Sequence, residues 1–263
     1  MSQKAQRGSS LSAISIMHYW KLVFRSVLFL ITLLLYIFTK ATTIADLSTF
    51  RLDLAIIWVI FVVEMILRFF PSKLESMGCQ KQFSHNYRPA EGRKNNELPE
   101  QAKHSVLIVT ISWIILNAII GILYFNGVIN QFILLILSLA YSVCDMICIL
   151  FFCPFQTWMM KNKCCGTCRI YNWDYAMMFT PLVFVPTFYT WSLLGIAILL
   201  LITWEIFYKL HPERFFESTN AALHCANCPE KLCHHKKQLH RFWTREKDRL
   251  RCKVSRKCID NNG

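Results

Sequence analysis

Apolar residues in this chain come in blocks of bilayer-crossing length, separated by polar, mostly basic blocks. The apolar windows are residues 22–38, 54–70, 106–125, 128–152, 175–189 and 192–208. A helix needs about 20 residues to cross a hydrocarbon core of about 30 Å, with about 17 as a lower limit. The third and fourth windows meet that length comfortably, and the first, second and sixth are adequate. The fifth is short and carries Pro181 and Pro186. It reads as a broken crossing or as a re-entrant segment, which is tolerated only where neighbouring protein shields its free backbone groups. The pattern predicts an all-α polytopic membrane protein of about six transmembrane helices.

The polar blocks set the orientation. The expected order is an N-terminal tail (1–21), a first hairpin (22–70), a polar loop (71–104), a second hairpin (105–153), a Cys-rich segment (154–174), a third hairpin (175–210) and a basic tail rich in Cys and His (211–263). Lys4, Arg7, Lys21 and Arg25 precede or open the first window; Lys73, Lys81, Arg88, Arg93, Lys94 and Lys103 follow the second; Lys161, Lys163 and Arg169 follow the fourth. The intervening loops have few basic residues or none. Positive charge on alternate loops places both termini, the polar loop and the Cys-rich segment in the cytosol. Loop 71–104, rich in Asn, Glu and Lys, reads as solvated and partly disordered.

Composition agrees. The chain is 54% apolar with mean hydropathy +0.35, yet it carries a formal charge of +13. In a soluble protein such a charge would suggest nucleic acid, an unlikely partner here because no folded reading module accompanies it. Ten basic residues in 236–257, interleaved with Phe242 and Trp243, favour anionic lipid at the membrane surface. A protein partner or a second copy of the chain is also compatible. Size and the cytosolic cysteines suggest a bacterial-type cell membrane.

Nine of the twelve cysteines fall in segments assigned to the cytosol, where thiols stay reduced, so a disulfide framework is excluded. Two knuckles bracket the third hairpin: Cys164-Cys165-Gly166-Thr167-Cys168 before it and His224-Cys225-Ala226-Asn227-Cys228 after it, with Cys233 close behind. A Cys-x-x-Cys turn lets both sulfurs reach one ion, and two knuckles supply a tetrahedral set. Cys165, Cys168, Cys225 and Cys228 are the expected ligands, with Cys164 and Cys233 in reserve. That set suits zinc or an iron–sulfur cluster, and the spacing leaves the choice open.

Ionisable groups also cluster at one depth inside the windows. Arg25, Glu64, Asp145 and Glu205 all lie within roughly 10 Å of the expected cytosolic interface at 1.5 Å per residue. Arg68 follows Glu64 at the spacing of a helical ion pair. Asp145 is the candidate functional carboxylate, with Tyr141 one turn before it and Cys148 three residues after it on the same face. Facing inward it could accept a proton, hold a cation or touch a substrate; it could equally form an interhelical ion pair with Arg25 or Arg68. Asp174 or Asn172 reads as a cap of the fifth helix.

Three function classes follow: a metal-fastened membrane bundle with an inner-leaflet polar cavity; an oxidoreductase passing electrons from an iron–sulfur centre to a quinone-like acceptor; and a small transporter or metal-handling protein using Asp145, Cys144 and Cys148. Phosphate-binding glycine loops, nucleophile elbows and zinc-protease motifs are absent from the sequence. Replacing Cys165 or Cys228 by Ser is expected to remove the metal and destabilise the protein. Metal analysis after anaerobic purification checks this, and two variants with full metal content and unchanged stability would dispose of a shared site.

Overall fold

The computed structural model describes residues 13–39, 52–71, 80–90, 103–160 and 168–224. Among them every regular element is helical; the one β feature is an isolated bridge between Pro89 and Asn220. Six α-helices appear in chain order: α1 (Ala13–Thr39), α2 (Leu52–Leu67), α3 (Lys103–Phe125), α4 (Gln131–Leu150), the short α5 (Asp174–Phe179) and α6 (Phe188–Leu210). Four of these, α1, α3, α4 and α6, are long and apolar enough to span a membrane. Their outward faces need an apolar solvent. Leu30, Ile31, Leu34 and Leu35 on α1, and Ile111, Ile114 and Ile115 on α3, are 46–61% exposed. Stripes of that size on a water-soluble monomer would be rare.

Local chemistry sets the helix boundaries. α3 ends at Asn126-Gly127, where Gly127 takes φ +71, a left-handed conformation that glycine adopts without strain. Asn130 then caps α4, accepting from the Ile133 amide at 3.0 Å. The fourth apolar block therefore becomes helix at Gln131 rather than at 128. α2 stops at Leu67, and Arg68 folds into a turn, its amide on the Met65 carbonyl at 3.1 Å.

The fifth apolar block is indeed broken. α5 has six residues and passes into a 3₁₀ turn, Thr180–Phe184, with Pro181 in its first positions. Together they rise about 19 Å, short of the roughly 30 Å of a hydrocarbon core. The segment nevertheless runs through the bundle, antiparallel to α4. Asp174 and Asp145 share a cavity wall, Ser138 Oγ donates to the Met178 carbonyl at 2.9 Å, and Val185 packs on Leu134. Its two ends thus lie at opposite ends of α4, unlike those of a re-entrant loop. Thr187 and Thr190 form a capping box that starts α6.

The main core gathers Phe61 and Met65 of α2, Tyr175, Met178 and Phe179 of α5, and Leu193, Ala197, Leu200 and Trp204 of α6. At the far end Gly121 lets the Phe184 ring approach closely: a Cβ there would lie 2.7 Å from the ring tip.

A latch closes the end beneath α6. Asn220 is fully buried and donates to the carbonyls of Lys81 (3.0 Å) and Arg214 (2.9 Å), while its side-chain oxygen accepts from the amides of Ala222 (3.0 Å) and Arg88 (3.4 Å). The Ala221 amide adds a bond to the Arg88 carbonyl at 2.7 Å. Residues 80–90 are therefore a packed part of the fold, with Gln80, Lys81 and Gln82 buried, and differ from the solvated loop expected there. Asn220→Ala strands several buried groups and is expected to lose about 2–3 kcal/mol. Chemical denaturation in mild detergent, with faster proteolysis near residues 80–90, measures the loss.

Candidate functional site

Arg25 organises the bundle's interior. Its side chain is 1% exposed and joins three helices: Nη2 donates to Glu64 Oε2 on α2 at 2.7 Å, and Nη1 donates to Asp145 Oδ2 on α4 at 3.2 Å. Nη1 also reaches the Ser142 carbonyl at 3.2 Å. Lys21, one turn before Arg25, lies 3.5 Å from the other oxygen of Glu64. A second buried guanidinium, Arg68, donates to Asp174 Oδ1 at 2.7 Å. Tyr175 ties the two pairs together. Its ring lies under Arg68 (4.5 Å) and beside Arg25 (5.9 Å), and its hydroxyl donates to Glu64 at 3.0 Å. Among the described residues the cluster holds three bases and three acids. Such a balance lets ionised groups persist away from water.

Below this cluster Glu205 of α6 is gripped by a fork. Arg169 Nη2 and Nε donate at 2.5 and 3.3 Å, and Trp173 Nε1 donates at 2.8 Å. The Arg169 guanidinium also stacks on Tyr208 at 4.3 Å. These contacts fix the entry to α5.

Beside the charges lies a cavity of about 130 Å³, walled by five pieces of chain. α3 contributes Trp113; α4 contributes Tyr141, Cys144, Asp145, Cys148 and Ile149. The turn after α4 brings Cys153, Phe155 and Gln156; the 3₁₀ turn before α5 brings Cys168, Ile170 and Tyr171; α5 itself brings Asp174, Met177 and Met178. The wall is mostly apolar and aromatic, with Trp113 and Tyr141 edge to face at 5.2 Å. Two carboxylates interrupt it, and no Lys, Arg or His lines it among the described residues. Cys148 and Cys153 are both half-buried in this wall. Cys144 is exposed, so the cavity reaches the outer face of α4.

The chain matches no family model, no curated protein and no solved structure.

Of the residues singled out from sequence, the inner cluster comes together. Arg25 meets Asp145 and Glu64. The structure turns Glu64 to Arg25 and Lys21, and Arg68 to Asp174, because α2 ends before Arg68 and the helical 64/68 spacing does not apply to it. Tyr141, Asp145 and Cys148 share the cavity wall, as their spacing implies. Asp174 stands one residue inside α5, whose N-cap is Trp173; its carboxylate accepts from the first-turn amide of Tyr175 at 2.9 Å and faces Arg68. Asn172 donates instead to Gln82 Oε1 at 3.2 Å.

For the thiol site, Cys164, Cys165, Cys225, Cys228 and Cys233 lie outside the described residues. Cys168 is described: it is buried, packs near Val109 and Ile170, and lines the cavity. Among the described residues no group of three or more His, Cys, Asp or Glu is arranged to hold a metal ion.

Sequence reasoning missed Tyr175, Trp113, Met177 and Cys153. The available signal was the tyrosine next to an aspartate at the mouth of a proline-broken apolar block, at the depth of the other charges. Arg25→Met leaves Glu64 and Asp145 facing each other without their cation and is expected to cost about 3–5 kcal/mol, enough to lose folded protein. The double variant Arg25→Met, Asp145→Asn, which keeps the Lys21–Glu64 pair, should recover much of it. Size-exclusion recovery and melting in detergent compare the two, and equal losses would show that charge imbalance is not the cause.

Proposed function

We propose that this chain is an integral membrane protein that crosses the bilayer six times, keeps both termini in the cytosol, and binds a small molecule entering its cavity from the lipid phase. The half-exposed apolar faces of α1 and α3 support the membrane setting. The passage of the fifth segment from the level of Asp145 to that of Leu134 supports a crossing rather than a re-entrant turn. The alternation of basic and non-basic loops supports the orientation.

One observation carries the binding reading. A concave, largely apolar site with two carboxylates placed in its wall opens beside the exposed Cys144 on a face suited to lipid. The transporter reading draws on the same residues, Asp145, Cys144 and Cys148. Binding is the simpler chemistry, because Asp145 is already committed to Arg25 and α4 runs unbroken past it.

Cys144→Trp, which fills the mouth while leaving every ion pair in place, is expected to empty the site. Native mass spectrometry of protein extracted in mild detergent should find a co-purifying small molecule on the wild type and none on the variant, at closely similar melting temperatures. Identical occupancy of the two proteins would defeat the cavity as the binding site.

A further inference from the structure

We propose that the ligand of this cavity is a lipophilic amine, bound as its ammonium ion with N–H groups directed to Asp174 and Asp145 and with its hydrocarbon chain leaving past Cys144. The inference rests on the cavity being the binding site and names the chemistry that site selects.

The carboxylates are held from behind. Asp145 uses Oδ2 on Arg25, and Asp174 uses Oδ1 on Arg68 and on the Tyr175 amide at 2.9 Å. Asp174 Oδ2 is buried with no hydrogen-bond partner among the described residues, in a side chain only 8% exposed. A buried carboxylate oxygen without a donor is an unmet demand, and a donor arriving from the cavity would meet it. With no base in the wall among the described residues, the donor that fits is one the ligand brings.

Charge and shape narrow its class. Asp145 and Asp174 stand in the wall itself, and no Lys, Arg or His lines it among the described residues. The open oxygen of Asp174 takes a donor, and an ammonium meets it with both partners charged, where a neutral alcohol brings a donor alone. Trp113, Tyr141 and Tyr171 add aromatic rings to the lining, and it is the face of such a ring that attracts a cation. A volume of about 130 Å³ approaches the roughly 150 Å³ of an apolar cavity known to hold a benzene-sized guest. It therefore takes a head group and its first carbons, not a whole lipid. The remainder has one described way out, beside Cys144 and along the exposed Ile147 and Phe151 of the same helix end.

Full-length protein in phosphatidylcholine nanodiscs is titrated with n-dodecylamine, following heat and melting temperature. Three controls separate the features: dodecan-1-ol has the tail and a donor but no charge, dodecyltrimethylammonium has the charge but no N–H, and n-butylamine has the head without the tail. Saturable binding of dodecylamine is expected, at least about tenfold tighter than any control. Asp174→Asn should weaken it by about tenfold or more, and Met177→Trp, which occupies the cavity without touching an ion pair, should abolish it. Should Asp174→Asn fail to fold, Met177→Trp and the controls still decide the matter. Equal affinity for dodecan-1-ol, sensitive to Met177→Trp, would overturn the amine while leaving a lipid-phase binding site. Equal affinity for dodecyltrimethylammonium or n-butylamine would overturn the N–H or the tail. Saturable binding of none of the four probes would overturn both this inference and the site beneath it.

Discussion

The structure depends on one buried guanidinium. Arg25 stands well inside an apolar helix and is almost wholly enclosed, so its charge must be answered by protein. Glu64 and Asp145 answer it from two other helices, and Tyr175 from a fourth element screens it against Arg68. Once the cation is placed, α1, α2, α4 and α5 have little freedom to slide, because a shift of one turn would part charges that have no water to turn to. A pair of this kind adds little net stability over apolar packing. What it supplies is register, in a medium where apolar faces alone slip past one another.

The cavity is a consequence of that arrangement. The fifth segment runs along α4, and the turn before it brings Asp174 to Arg68. Space is left between α3, α4 and the turn at Cys168, lined by whatever the surrounding turns present. Two of those groups are carboxylates whose arginines stand behind them. The same pairs that fix the helices therefore polarise the wall of the cavity.

Much of this was legible before the fold was known. Block lengths announced the long helices, proline announced the broken segment, and the common depth of Arg25, Glu64 and Asp145 announced a cluster. The face shared by Tyr141, Asp145 and Cys148 follows from helical periodicity alone. Partner choice was not legible. Arg68 looked bound to Glu64 because both were assumed helical; the helix stops one residue earlier, and the arginine swings to an aspartate 106 positions away. Tyr175 had only a weak sign of its role, its place beside Asp174 at the depth of the other charges, and an aromatic near an apolar block's end is commonplace. Asn220 was equally silent: its four partners are backbone groups, which no side-chain pattern reveals.

The reach of Arg25's contacts also imposes an order on synthesis. Glu64 emerges 39 residues after Arg25, but Asp145 only 120 residues after it. At translation rates of roughly 5–20 residues per second, the 81 residues between the two acids represent roughly 4–16 s. During that interval the first two helices hold a half-answered cation, with Glu64 and Lys21 as its company. The Arg25–Glu64 pair can therefore form before Asp145 exists, and the arrival of α4 completes the cation's partners.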